Sequence, residues 1–361
     1  MKAADGDLRA WLAAMPQAQG LPFQVAPDGL YDVCELYSGF DPDRPETLAN
    51  TFDARVYRWT RQGAGGAPRS REAGETIAAR LHDTAMDRHV AEFLDPRRQV
   101  TVGFMGGHDV GRDQLAFAAV ARLARHLRRL DFMVVTGGGP GLMEAANLGA
   151  FMAPFSDADF TAALDRLAAV PGYGGEPGRA PATRAAWLAE AAWVRARVLG
   201  RWNAPAPSGG SSLGIPTWFY GAEPPNLFAT AVGKYFFNSL REDGLVTVAN
   251  GGMVFGRGAA GTVQEVLQNA NLNFYRGPEM EATPMVFLDK AFWGDPHGEP
   301  AVPGAKPLFP LVEALACEAE TPFRAALLLT DDEAAAAQFI VSANVDRLRP
   351  IRVADVRLAA P

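Results

Sequence analysis

Apolar and polar positions follow two different periods along the chain, and the changes of period mark out its elements. "VTVGFM" (Val100–Met105) is an unbroken apolar run. "QLAFAAVARLARHLRRL" follows it, with Val120, Leu123, Leu127 and Leu130 at helical spacing. "FMVVT" (Phe132–Thr136) is a second unbroken run. Two strands apolar on both faces, joined by a helix, make a βαβ unit of a parallel sheet covered on both sides. Its crossover is expected to be right-handed. The alternation continues. A helix is predicted over Ala182–Trp202, a strand in "SLGIPTWF", and a helix over "LFATAVGKYFFNSLRE" (Leu227–Glu242). Extended pieces follow in "GLVTVA" and "GGMVFG", then a helix over "GTVQEVLQNANLNFY" and a strand in "PMVFLD". The stretch from Pro307 to Asn344 reads helix, strand, helix. The predicted fold class is α/β: a doubly wound, mostly parallel Rossmann-like sheet with helices on both faces.

The pattern also divides the chain. Residues 1–98 read as a mixed α/β extension with no chemical motif. "LRAWLAAM" and "ETIAARLHDTAMDRHVAEFL" are amphipathic helix candidates, and "DARVYRW" (Asp53–Trp59) alternates like a strand. "RQGAGGAPRSREAGE" between them reads as a surface loop. Residues 99–345 form the Rossmann-like domain, interrupted at 151–212 by an insertion that could serve as a lid. Residues 346–361 are a tail.

Glycine clusters fall where strands end. The first is Gly106-Gly107, followed by His108 and Asp109. The second is Gly137-Gly138-Gly139-Pro140-Gly141, leading into Leu142, Met143 and Glu144. The third is "GRGAAGTVQE", which runs from Gly256 through Arg257, Gly258, Ala259, Ala260, Gly261 and Thr262 to Glu265. In open parallel sheets, ligands bind beyond the carboxyl ends of the strands. A helix that starts there offers free N–H groups and its positive dipole end to an anion. The same glycines could serve only to turn the chain tightly. None of the clusters fits the dinucleotide fingerprint or the ATP-type P-loop. Thr262-x-x-Glu265 is a capping-box pattern, and on pattern alone capping is the favoured role for the pair. His108, Asp109 and Glu144 are weaker candidates for the same cleft.

Composition narrows the function classes. Hydrophobic residues make up 48% and charged residues 21%, as in an ordinary soluble domain. A formal net charge of −7 argues against nucleic-acid binding through a global positive field. No apolar run reaches transmembrane length, so no membrane partner is expected. The N-terminus is a poor signal peptide. Cys34 and Cys317 are far apart in sequence, which fits a reduced, cytoplasmic setting. No metal and no cofactor is expected.

The second and third clusters, in this order, resemble the LOG family, once widely labelled "lysine decarboxylase". That family carries a G-G-G-x-x-G-L-M signature and a later P-G-G-x-G-T-x-x-E signature on a Rossmann-like fold. "GGGPGLMEAANLGA" matches the first closely. "RGAAGTVQE" matches the second at Gly258, Gly261, Thr262 and Glu265, with Arg257 in place of the proline and Ala259 in place of the second glycine. "PPNLFATAVGKYFF" is similar to a segment of longer members. The resemblance spans about Val100 to Ala343 without the insertion. It implies hydrolysis of the N-glycosidic bond of a nucleoside 5′-monophosphate, giving free base and ribose 5-phosphate, in a homodimer or higher homo-oligomer. Glu265 would be catalytic. Substrate and phosphate would lie on Gly106, Gly107, Gly137, Gly138, Gly139, Gly141, Leu142, Met143, Arg257, Gly258, Ala259, Ala260, Gly261 and Thr262. The family's catalytic arginine belongs to an Arg-Lys pair. Counted forward from Tyr235-Phe236-Phe237, that pair falls on Ser239 and Leu240; counted back from the second signature, the arginine falls within a residue of Arg241. Arg241 either takes the role or is a solvated surface arginine. The decarboxylase label would need a lysine Schiff base with pyridoxal phosphate, and none of the four lysines has that context. A nucleotide-binding sensor without turnover, or a carrier of a phosphorylated cofactor, is the alternative function.

Overall fold

The structure is a computed structural model, which describes residues 20–61, 72–95, 99–174, 181–219, 224–277, 280–294 and 302–348. The helix expected in "LRAWLAAM", most of the loop expected at 61–75 and nearly all of the tail lie outside the described residues. Chain order begins with helices α1 (Val33–Leu36), α2 (Phe52–Thr60) and α3 (Ala73–Phe93). Strand β1 (Thr101–Met105), helix α4 (Leu115–Arg129), strand β2 (Met133–Thr136) and helix α5 (Leu142–Phe151) follow. The insertion holds α6 (Asp157–Ala168) and α7 (Pro181–Leu199). Then come β3 (Ser212–Gly214), β4 (Ala231–Val232), α8 (Asn238–Val248), β5 (Gly252–Phe255) and α9 (Ala260–Phe274). The chain continues through β6 (Met285–Leu288), α10 (Lys290–Trp293), α11 (Phe309–Glu318), β7 (Leu327–Thr330) and α12 (Glu333–Ala343).

Among the described residues, seven strands form one sheet in the order β4-β3-β2-β1-β5-β6-β7, and every pairing is parallel. The fold is doubly wound α/β, as the apolar runs predict. β1, β2, β5 and β6 are buried along their whole length, which is why their sequences do not alternate. Helix α4 packs on α5 and α12, while α9 packs on α8 and α11. The chain runs outward from β1 through β2 and β3 to β4, then returns to lay β5 on the other side of β1. The ends of β1 and β5 therefore flank the switch point, where this class of sheet opens a crevice. No helix among the described residues is long and apolar enough to cross a membrane.

Three local expectations are corrected. Asp53–Trp59 is helical, within α2, and not a strand. Thr51 caps that helix by accepting the Ala54 N–H, and the buried positions Asp53, Val56, Trp59 and Thr60 follow helical spacing. The segment 227–242 is not one helix: it holds the short strand β4, a turn, and then the start of α8 at Asn238. β4 forms because Leu213 and Gly214 of β3 pair with Ala231 and Val232. "GLVTVA" is the last part of α8 and not an extended piece.

The extension is knitted into the sheet. Tyr31 pairs antiparallel with Val232 through two backbone hydrogen bonds and so covers part of the β4 edge. On α3, the buried Asp83 accepts the backbone N–H groups of Phe236 and Phe237, next to the start of α8. Its neighbour His82 bonds the Tyr31 hydroxyl at 2.8 Å. The insertion also packs inward: Trp187, Leu188, Ala191, Ala192 and Val194 of α7 are buried.

Candidate functional site

At the switch point a cavity of about 290 Å³ is lined by Met105, Gly106, Gly107, His108, Met143, Arg241, Glu242, Ala259, Ala260, Gly261, Thr262, Gln264 and Glu265. It lies at the lower end of the roughly 300–1,000 Å³ usual for small-molecule sites. Two clefts of about 820 and 830 Å³ lie near Arg122 and Glu333. Chemistry, and not size, marks the smaller one. It alone among these three combines a helix N-terminus, a buried Arg–Glu pair and the end of β1.

α9 begins at Ala260, one turn earlier than a Thr262 cap would require. Ala259 is its N-cap, and no side chain caps the helix there. The capping-box reading of Thr262 and Glu265 is thus corrected. Both lie inside the helix, on the buried stripe Thr262, Glu265, Val266, Asn269, Ala270, Asn273. That stripe is helical in period but mostly polar, where an ordinary core-facing helix is apolar. Ala259, Ala260 and Gly261 are exposed. First-turn N–H groups cannot find a partner within the helix, so here they face the crevice without a capping side chain.

Glu265 is 2% exposed and pairs with Arg241, Nη1 to Oε1 at 3.2 Å. Arg241 comes from α8 and is buried, so it is not a solvated surface arginine. Its Nε donates to the Ile215 carbonyl at 2.9 Å, just beyond β3. Asp83 holds the backbone before α8, so the extension helps to fix the helix that presents Arg241. Glu242, which was not a sequence candidate, also lines the cavity and is 2% exposed. Its carboxylate lies 3.8 Å from Arg241 Nη1 and accepts from Asn238 and Gln264. Only the folding of α8 against α9 brings these groups together.

The glycines of the second cluster serve differently. Gly137 to Gly141 are buried and do not line the cavity. A Cβ on Gly137 would lie 2.5 Å from Arg241 Nη2, so this glycine makes room for the arginine. Gly138 and Gly139 offer their carbonyls to Asn226, at 2.9 and 3.1 Å, and Asn226 also bonds Asn147. Gly141 packs against the Gly107 carbonyl. Leu142, 2% exposed, fills the space that Gly106 and Gly256 leave at the ends of β1 and β5. Met143 reaches the cavity.

Of the other candidates, all but His108 fall outside the cavity. Arg257 pairs with Asp289 and lines the neighbouring cleft. Gly258 packs against Thr262. Glu144 is fully buried in an ion pair with Arg112, Nε to Oε2 at 2.9 Å. Burial pushes the Glu144 carboxyl above its ordinary range, and Arg112 offsets this only in part. His108 is on the cavity wall, with its ring edge-on to Tyr173; Asp109 is exposed and is not part of the wall. Among the described residues no group of three His, Cys, Asp or Glu side chains is disposed to hold a metal ion.

No protein-family model and no curated protein matches the chain.

Proposed function

We propose that the switch-point cavity binds a nucleoside 5′-monophosphate and hydrolyses its N-glycosidic bond, releasing the base and ribose 5-phosphate. The observation that carries this reading is one cavity holding both the uncapped N-terminus of α9 and the buried Arg241–Glu265 pair. The phosphate would accept from the N–H groups of Ala260, Gly261 and Thr262, aligned with the helix dipole. Cleavage builds positive charge on the ribose. Glu265, held by Arg241 and almost sealed from water, would stabilise that charge and take a proton from the attacking water. Arg241, fixed at Nε by the Ile215 carbonyl, would keep Glu265 aimed and hydrogen-bond the substrate. The resemblance to the LOG family supports the same assignment. It also implies a homodimer or higher homo-oligomer; sedimentation velocity measures it.

The test is incubation with a panel of nucleoside 5′-monophosphates and chromatography for free base. Release is expected. Glu265→Gln should lower kcat about a thousandfold while calorimetry still detects nucleotide binding. Binding without release in the unaltered protein would replace this reading with that of a sensor or carrier.

A further inference from the structure

A second polar cavity, of about 50 Å³, lies beyond the carboxyl ends of β3 and β4. None of its lining residues lines the switch-point cavity. The extension contributes Tyr37, Asp53 and Tyr57, and the insertion contributes Arg184. The segments that follow β3 and β4 contribute Trp218 and Lys234. Three parts of the chain that are far apart in sequence thus meet around one small space. Crevices beyond the carboxyl ends of strands are where sheets of this class take their ligands.

Several polar groups on its walls are satisfied within the protein. Asp53 accepts from Lys234 and, at 2.8 Å, from Trp218 Nε1. The Tyr37 hydroxyl donates to the Pro225 carbonyl at 2.7 Å. Arg184 is different. The residue is half-buried, yet its Nε is sealed from water and has no hydrogen-bond partner. Among the described residues its guanidinium makes no hydrogen bond and no ion pair. A charged donor that has lost its water needs an acceptor, and the strongest acceptors are ionised. An Nε–H beside an Nη–H is an edge on which a guanidinium can hold a carboxylate through two parallel bonds.

Size narrows the ligand. One water needs about 10–15 Å³ of such a space, so the cavity takes roughly four water-sized groups. That is too little for a nucleotide and enough for a short carboxylate. Leu48 and Ala54 give the cavity an apolar wall for the alkyl end. We infer that this cavity is a second binding site, for a short-chain carboxylate held by Arg184. The inference does not depend on what the switch-point cavity does, so it stands or falls apart from the N-glycosidase.

Acetate and acetamide are a matched pair of probes, alike in shape and different by one charge. In ligand-observed NMR on the full chain, acetate should bind saturably and acetamide at least about tenfold more weakly. Arg184→Met should weaken acetate by a similar factor. Equal affinity for the two probes, or no binding of either, would leave the cavity to water and overturn the inference. Acetate affinity unchanged in Arg184→Met would overturn the role of that residue. Diffraction from a crystal of the unaltered protein soaked in acetate needs no variant to fold. Density beside Arg184 Nε is the expected result, and acetate found only elsewhere, such as at the α9 N-terminus, would overturn the site.

Discussion

The units β2–turn–α5 and β5–turn–α9 are built on the same plan and end in different places. Each sends a buried strand through a glycine-rich turn into a helix. Each sets a glutamate in the early part of that helix and pairs it with an arginine from elsewhere. In the first unit the partners, Glu144 and Arg112, have side chains 0% and 1% exposed, and Arg112 also donates to the Trp187 carbonyl. In the second, Glu265 and Arg241 line an open cavity. The glycines explain the difference. Those of the first turn leave room for protein: Arg241 beside Gly137, Pro216 beside Gly138, the Gly107 carbonyl beside Gly141. In the second, Gly256 and Gly258 likewise leave room for Leu142 and Thr262, and the difference lies at Gly261, in the first turn of α9, where a Cβ would meet nothing within 4 Å. A bare backbone at a strand end is thus a packing device or a ligand port, depending on what occupies the missing Cβ space.

The contrast breaks most easily at Gly141. Its φ is +68°, and an added Cβ would lie 2.1 Å from the Gly107 carbonyl, a backbone atom without a rotamer to escape into. Gly141→Ala should lose more than about 4 kcal/mol, from left-handed strain and overpacking together. A denaturant midpoint equal to that of the unaltered protein would show that this turn is not packed as described.

The sheet was legible because strands buried on both faces leave unbroken apolar runs, and right-handed crossovers constrain where each strand can go. Asp53–Trp59 was misread because its apolar positions fit period two as well as a short helix; Thr51 and the burial of Asp53 decide for the helix. Thr262 and Glu265 fit a capping pattern by spacing, but the start of α9 depends on where β5 ends. The candidate site was half legible. Glu265 and the α9 N-terminus could be read from motif and position. Arg241 was a candidate whose register stayed open until α8 was placed. Glu242, Asn226 and Asp83 could not be read at all, because each acts across more than twenty residues or between separate elements. The buried role of Gly137–Gly141 was hidden for the same reason: sequence shows the glycine and not its neighbour.

A smaller effect is expected at the sealed pair. Arg112→Met leaves Glu144 buried without its cation, which should cost about 3 kcal/mol at neutral pH. The deficit should depend on pH. The folded-state pKa of Glu144 is raised by burial, and Arg112 lowers it again in part. Removing Arg112 therefore raises it further. A group with a raised folded pKa favours the folded state below its unfolded value and loses that contribution as pH rises through the folded one. The variant should approach the unaltered protein as pH falls through the acid range and diverge from it as pH rises. Paired urea titrations across pH measure this; a deficit independent of pH would mean that Glu144 does not change its proton in that range.

The smallest change is the most discriminating. Gly261 is exposed, in the first turn of α9, with open space around its Cβ position. If it were a packing glycine, alanine would clash; if it were only a turn residue in a helix, alanine would be purely favourable. Gly261→Ala should raise stability by about 0.5 kcal/mol through the smaller entropy of the unfolded chain. Helical Cα–Cβ bonds tilt toward the N-terminus, so the new methyl leans to the side where the N–H groups would receive a phosphate. Affinity for a nucleoside monophosphate should then fall a fewfold, while affinity for the same nucleoside without its phosphate stays level. Stability and binding would move in opposite directions at one residue, which no packing role produces. A gain in stability with unchanged nucleotide affinity would remove the phosphate from this helix end and leave the cavity defined by Arg241, Glu242 and Glu265 alone.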